Sequence, residues 1–327
     1  MRLEEKRELM RGLGEVAKAV GEEILTLKGE KIRDIEVFLG HEVSTIDEEA
    51  REIMERCLNI RFSKLESMLE GIRYYELRPR EVILLKKKRG EVKEPQKYTL
   101  IIDEIEGTTN TKRALASGQN YRPISAISIA LCLGENLGSI QVGVIYALDQ
   151  KELYMAMRVD DGFLAYRDDQ LLYPEDFEKI KGDDHPRILV IGYSNKERIK
   201  KGELEDVLYN QGKFRVYEGC RASAVDIINI LRNQYDAYVD LRALWGEKSG
   251  AMLQVYDVAG VIPIALGCGL RVSDVYDHSL DEYKRDDFIP LVISRSDPDL
   301  KIQERIIELT KPLVEKWKEE GENAGSI

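Results

Sequence analysis

Asp103 and Glu106 flank Ile105 directly after the apolar run Tyr98-Thr99-Leu100-Ile101-Ile102. Two acidic side chains leaving a buried strand can converge beyond the sheet, with the Ile105 carbonyl facing the same space, and hard divalent cations take all-oxygen sets of this kind. Gly107 allows a close turn of the backbone. Thr108-Thr109-Asn110 can then open a helix whose first N–H groups face an anion. The local chemistry is that of a metal-and-phosphate corner. The same residues also fit an acidic strand-to-helix turn with a simple N-cap, and local composition does not separate the two.

The elements that must position this corner are legible from periodicity. Leu9, Leu13, Val16, Val20, Ile24 and Leu27 recur at intervals of three and four, which predicts an opening helix that Gly29 can end. A second helix is expected from Thr45 or Ile46, where Asp47, Glu48 and Glu49 suit a helix N-terminus. Val82 to Leu85 and Tyr98 to Ile102 read as strands, the second ended by Asp103. Ile124 to Leu133, Val142 to Leu148 and Leu153 to Met157, with glycines between them, predict an antiparallel meander. Beyond Pro186, strands at Ile188 to Ile191, Ala237 to Val239 and Ile289 to Ile293 alternate with helical stretches at Ala222 to Leu231 and Val258 to Leu266, so the second half reads as α/β. A last helix is expected to open at Ser296-Asp297-Pro298. The organisation expected is an N-terminal α+β half, 1–185, a C-terminal α/β half, 186–320, and a frayed tail, 321–327, forming one integrated unit.

Composition narrows the function classes. A net charge of −11 disfavours nucleic acid as a partner, because phosphates need a basic footprint. The apolar runs fall short of the roughly 20 residues a bilayer span needs. The charged start, Met1-Arg2-Leu3-Glu4-Glu5-Lys6, lacks a secretory apolar stretch, so the chain reads as cytoplasmic. Cys57, Cys132, Cys220 and Cys268 show no C-x-x-C spacing, which argues against a zinc site or a disulfide framework. Ser194 and Ser223 lack a nearby histidine or a G-x-S-x-G turn, which leaves a serine hydrolase with little support. His41, His185 and His278 are far apart and read as surface residues.

The segment Ile101 to Asn110 resembles the D-P-I-D-G-T-T-N signature of the inositol monophosphatase family, within the inositol monophosphatase and fructose-1,6-bisphosphatase superfamily. Tyr256-Asp257-Val258-Ala259-Gly260 followed by Gly267-Cys268-Gly269 resembles its second signature, W-D-x-A-A-G leading into E-A-G-G. Between them, Ala222-Ser223-Ala224 and Asp236-Ala237-Tyr238-Val239-Asp240 are similar to its G-S-A-A helix and D-x-Y strand. The resemblance runs from about Val43 to Asp274. It implies a layered αβαβα sugar-phosphatase fold, of mixed α/β class and commonly homodimeric. It also implies hydrolysis of a small sugar or polyol phosphate, of the inositol monophosphate or fructose-1,6-bisphosphate type, with magnesium and a metal-activated water. By the resemblance, Asp103, the Ile105 carbonyl, Glu106 and Asp257 fall at metal-ligand positions, and Thr108 paired with Asp47 orients the water. The amides of Gly107, Thr108 and Thr109 receive the phosphate, and Asp240 meets substrate hydroxyls.

The pattern departs from the family at the strand before the first signature, where a G-E-E segment normally supplies a metal-binding glutamate. Ungapped comparison puts Lys86, with Lys87 beside it, at that position. Lysine cannot ligate magnesium, but its ammonium can stand near a phosphate in place of a cation. A shifted register would bring Glu81 or Glu91 there instead. Glu106 replaces an aspartate and is one methylene longer. Glu104 replaces proline, and Arg221, where the family helix opens with glycine, could grip a second phosphate or a carboxylate. An alternative expectation therefore stands beside the enzyme: a descendant that keeps the fold as a sugar-phosphate or anion-binding module, or as a structural subunit. The stretch Arg242 to Gln254, with Trp245, Glu247 and Lys248, reads as an insertion that shapes a sugar pocket or a subunit contact.

Overall fold

The computed structural model describes residues 1–27, 34–38, 41–68, 72–78, 81–86, 96–117, 122–134, 136–177, 185–192, 198–244 and 252–324. Gly29, Lys87, Glu91, Ser194, Trp245, Glu247 and Lys248 lie outside the described residues.

Helix α1 (Leu3–Ile24) buries the expected stripe of Leu9, Leu13, Val16, Val20 and Ile24. It ends at Ile24, before Gly29, where the Thr26 and Leu27 amides tighten onto the Glu23 and Ile24 carbonyls three residues back. Strands β1 (Asp34–Phe38) and β2 (His41–Ser44) form an antiparallel pair ahead of α2 (Thr45–Met68). Then comes a fully antiparallel sheet of eight strands in chain order: β3 (Ile72–Arg78), β4 (Glu81–Lys86), β5 (Gln96–Glu106), β6 (Ala126–Cys132), β7 (Ile140–Ala147), β8 (Glu152–Val159), β9 (Gly162–Arg167) and β10 (Gln170–Leu172). Helix α3 (Thr108–Ala116) interrupts the meander between β5 and β6. β5 does not stop at Asp103. It runs on to Glu106 through an irregularity in its pairing with β6.

The second sheet holds β11 (Arg187–Val190), β12 (Arg215–Glu218), β13 (Ala237–Asp240), β14 (Arg271–Asp274) and β15 (Leu291–Ser294) in the order β12-β11-β13-β15-β14. β12, β11 and β13 are parallel, whereas β15 runs against β13 and β14. Its helices are α4 (Arg198–Asp206), α5 (Ser223–Leu231), α6 (Val255–Val258), α7 (Ile262–Gly267) and α8 (Ile302–Ala324). The single helix expected over Val258 to Leu266 is two short ones. Pro263 falls in the first turn of α7, where a residue without an N–H can start a helix but not continue one. The last helix begins at Ile302 rather than at Ser296, since Asp297 Oδ1 accepts the Asp299 and Leu300 amides at 3.0 and 3.1 Å and holds a turn ahead of it. It runs through Gly321 to Ala324, into the stretch that reads as a tail.

Three apolar clusters set the layers. Leu9, Leu13, Ile53, Leu100, Ile102 and Ile129 pack α1 and α2 on one face of the large sheet. Ile101, Ala130, Ile228, Val258, Ile264 and Tyr238 fill the space between the two sheets around α5, α6 and α7. Ile188, Val190, Leu204, Ile306 and Trp317 join the far face of the small sheet to α4 and α8. The result is the layered αβαβα architecture, in which each fully buried Leu or Ile contributes roughly 1.5–3 kcal/mol of burial free energy. The middle cluster draws on both halves of the chain. Among the described residues no helix is long and apolar enough to cross a membrane.

Candidate metal and phosphate site

β5 is buried on both faces, and its alternation assigns the site. Tyr98, Leu100 and Ile102 belong to the outer cluster under α1 and α2, and Ile101 belongs to the cluster between the sheets. Asp103 follows two positions after Ile101 and so addresses the inner layer. Strict alternation would send Ile105 there too. Instead, Asp103 pairs with Ser128 and Glu106 with Ala126, three steps against two, so β5 carries one extra residue. The bulge turns Ile105 into the outer apolar cluster and brings Glu106 to the side of Asp103. Both carboxylates are buried.

Glu106 is the most constrained of the group. Its Oε1 accepts the Ser223 amide at 2.6 Å, at the start of α5, and its Oε2 is buried without a hydrogen-bond partner. Burial, then the negative charges of Asp103 and Asp257, hold its carboxyl well above the usual carboxylate range, against the pull of the Ser223 N–H. Asp257 comes from α6, where its Oδ2 caps the helix by accepting the Gln254 amide at 2.8 Å. A buried acid crowded by two others, with one oxygen unused, is a donor set that a hard cation would relieve. Among the described residues, no group of three or more His, Cys or acidic side chains stands close enough to enclose a metal ion. Asp103, Glu106 and Asp257 therefore share a neighbourhood without forming a closed cage.

The phosphate side is built on α3. Gly107 is its N-cap at φ +94° and ψ +36°, and the first main-chain bonds run from the Asn110 and Thr111 amides to the Gly107 carbonyl. The Thr108 and Thr109 amides precede them, at the positive end of the helix. The Thr108 hydroxyl lies 2.9 Å from Asp47 Oδ1, in the first turn of α2, and 3.0 Å from the Ile105 carbonyl. Its single proton serves one acceptor at a time. When Asp47 takes it, the Ile105 carbonyl keeps its lone pairs for another partner.

Three other residues singled out in the sequence are placed elsewhere. In the antiparallel register, Lys86 opposes Gln96 at the start of β5, whereas Glu81 opposes Ile101, two residues before Asp103. At about 3.3 Å per residue, the seven residues from Gln96 to Asp103 put the Lys86 backbone roughly 23 Å along the strand from that of Asp103. The register does not bring Lys86 to the corner; it brings the Glu81 end of β4. Asp240 is fully buried, with Arg242 Nε at 2.9 Å, Arg242 Nη2 at 2.6 Å and the Tyr238 hydroxyl at 3.0 Å on its carboxylate. A substrate hydroxyl reaches Asp240 only by displacing that shell. Arg221 is exposed, with a left-handed backbone at φ +65°, directly before Ala222, the N-cap of α5.

Sequence reasoning missed the Ser223 amide as the partner of Glu106, and also Asn110 and Asp226. Asn110 Nδ2 donates to the Ile124 and Cys220 carbonyls, both at 2.7 Å, tying α3 to the segment before α5. Asp226 was visible as the one charged residue in the apolar run Ala222 to Leu231. All four cysteines are free.

The sequence matches the inositol monophosphatase family over residues 7–314. The chain belongs to that family. By sequence alone, no curated protein matches it significantly. Solved structures of inositol monophosphatase type share its fold. The extragenic suppressor protein SuhB of Bartonella henselae aligns with TM-score 0.59 at 18% identity, over 91% of this chain and 98% of its own. The MJ0109 gene product, an inositol monophosphatase-fructose 1,6 bisphosphatase, aligns with TM-score 0.59 at 18% identity, over 94% and 100%. The inositol monophosphatase of Anabaena (Nostoc) sp. PCC 7120 aligns with TM-score 0.57 at 14% identity, over 92% and 96%.

Proposed function

We propose that this member of the inositol monophosphatase family is a magnesium-dependent phosphomonoesterase acting on a sugar or polyol phosphate, of the inositol monophosphate or fructose-1,6-bisphosphate type. The observation that carries the reading is Glu106: buried, crowded by Asp103 and Asp257, tied to Ser223 through one oxygen and without a hydrogen-bond partner on the other. Asp103, the Ile105 carbonyl, Glu106 and Asp257 would hold the cation. When bound, a divalent cation supplies Lewis-acid stabilisation of phosphoryl charge and lowers the pKa of water. Thr108, donating its hydroxyl proton in a hydrogen bond to Asp47, would accept a hydrogen bond from the attacking water, and Asp47 would take up through Thr108 the proton that the water gives up. The Gly107, Thr108 and Thr109 amides receive the phosphate oxygens. The exposed Arg221, directly before the N-cap of α5, is the candidate for a second anionic group of the substrate, and a homodimer is the expected assembly.

A panel of sugar and polyol phosphates, assayed for phosphate release with and without magnesium, tests this. Magnesium-dependent turnover that Asp257→Asn reduces by about 10²-fold or more is the expected result. The lysine pair Lys86-Lys87, where the family's metal-binding glutamate is expected, favours one second reading, a module that binds sugar phosphate without turning it over. Retained binding of inositol monophosphate by folded protein, with no phosphate released from any substrate, decides for that reading.

A further inference from the structure

Asp226 is a buried acid that the reaction as written does not use. It lies in the first turn of α5, 1% exposed, and both of its oxygens accept the Cys220 amide, at 3.0 and 3.1 Å. The Cys220 carbonyl is held from the other side by Asn110 Nδ2. One peptide segment is thus gripped at its N–H by α5 and at its C=O by α3. What it leads into matters. Arg221 follows in the left-handed region, a conformation that costs a side-chain-bearing residue about 1–2 kcal/mol unless its surroundings enforce it. Ala222 comes next, with its Cβ 3.0 Å from where a Cβ on Gly107 would be, and then Ser223, whose amide meets Glu106.

A separate feature points to the same seat. A Cβ on Gly219 would stand 2.5 Å from Asp226 Oδ2 and would collide with Ile191 Cδ1, so the segment has a glycine where the carboxylate needs the room. Burial pushes the Asp226 carboxyl up to about 6, so a charge there has a real desolvation cost. The groups that act on it are Cys220 on the gripped segment and, from β13 and the turn after it, Asp240 and Arg242. An acid held at such a cost, with its oxygens turned on the amide and the thiol of Cys220 in the segment that leads to Glu106, is explained by what that segment positions.

We propose that Asp226 is a positioning residue of the metal and phosphate corner: by clamping the Cys220 amide against the Asn110 grip, it sets the Ser223 N–H on Glu106 and so aims the second Glu106 oxygen. The assignment of that oxygen to a cation rests on the proposed function; the clamp itself does not.

Hydrogen exchange on the full-length protein tests the clamp with no metal present. In Asp226→Ala, the Cys220 and Ser223 amides exchange about tenfold faster or more, as expected for the loss of one charge-assisted bond, while the later amides of α5 keep their protection. Asp226→Asn, which keeps one acceptor oxygen, restores most of it. Gly219→Ala, which displaces the carboxylate without removing it, reproduces the Ala phenotype and replaces that variant should it not fold. Unchanged Ser223 exchange in both Asp226→Ala and Gly219→Ala overturns the proposal, and so does uniform loss of protection along α5, which marks a merely structural role. Calorimetric titration with magnesium reads the coupling: affinity about tenfold weaker in Asp226→Ala and near wild type in Asp226→Asn. A wild-type protein that binds no magnesium rejects the metal reading of the site, while the exchange result still decides the clamp.

Discussion

At the scale of single residues, the corner is defined less by which acids are present than by what each oxygen already does. Glu106 gives one oxygen to Ser223, Asp257 gives one to Gln254, and Thr108 divides its proton between Asp47 and the Ile105 carbonyl. The Asp47–Thr108 pair, if it acts as one unit on water, predicts non-additive losses. Asp47→Asn and Thr108→Ala should each reduce kcat by about 10²-fold or more, with the double variant little worse than either. Phosphate release under saturating magnesium measures this cycle, and additive losses would show that the two side chains work independently. Asp240 differs in kind. Its carboxylate is enclosed by Arg242 and the Tyr238 hydroxyl, so a substrate hydroxyl that met it would compete with those partners.

At the scale of elements, the β5 bulge and the α3 cap carry the geometry. Without the extra residue between Asp103 and Glu106, Ile105 would turn inward and Glu106 would lose the side it shares with Asp103. The cap depends on Gly107. A Cβ there would meet the Ile124 carbonyl and the Ala222 Cβ, each at 3.0 Å, in a backbone region that L-residues avoid. Gly107→Ala is expected to cost about 2–4 kcal/mol, the sum of left-handed strain and overpacking, read as a lowered urea midpoint with an unchanged m-value. A loss below about 0.5 kcal/mol would show that α3 shifts freely away from α5.

At the scale of the molecule, the two sheets are held as one body by the shared middle cluster and by a buried polar knot at its edge. Arg295, 1% exposed, donates to the Phe177 carbonyl at 3.0 Å, the Ile230 carbonyl at 2.6 Å and Asn233 Oδ1 at 2.7 Å, and its Nε lies 3.2 Å from Asp236. That one side chain links the segment after the large sheet, the end of α5 and the start of β13. Arg295→Ala leaves the Phe177 and Ile230 carbonyls and Asn233 Oδ1 unpaired, while Asp236 keeps the Arg187 main-chain N–H and guanidinium, so chemical denaturation should show about 2–4 kcal/mol of lost stability. The fraction that remains folded should keep its turnover, because the knot lies apart from Glu106 and Thr108. A fall in kcat as large as that of Thr108→Ala would contradict this separation.

Periodicity in the sequence by itself determined the mixed α/β class and the order of the main elements, whereas the layered αβαβα arrangement entered only as what the family resemblance implies. Apolar stripes at helical spacing and two-sided apolar strands have few ways to bury themselves, and the signature around Asp103 to Asn110 is local. The edge strands β3, β10, β12 and β14, and β9 beside β10, were not legible, since strands at or near a sheet edge carry little periodic signal. What only the tertiary structure decided is long-range pairing: which oxygen of Glu106 meets Ser223, 117 residues away, and which end of β4 lies beside Asp103. An ungapped comparison sets Lys86 against the missing glutamate. Antiparallel register sets it at the far end of β5, because strand pairing is fixed by hydrogen bonding across the sheet and not by position along the chain. The acidic corner could be read from its residues, but the atoms that aim it belong to segments that meet only in the fold.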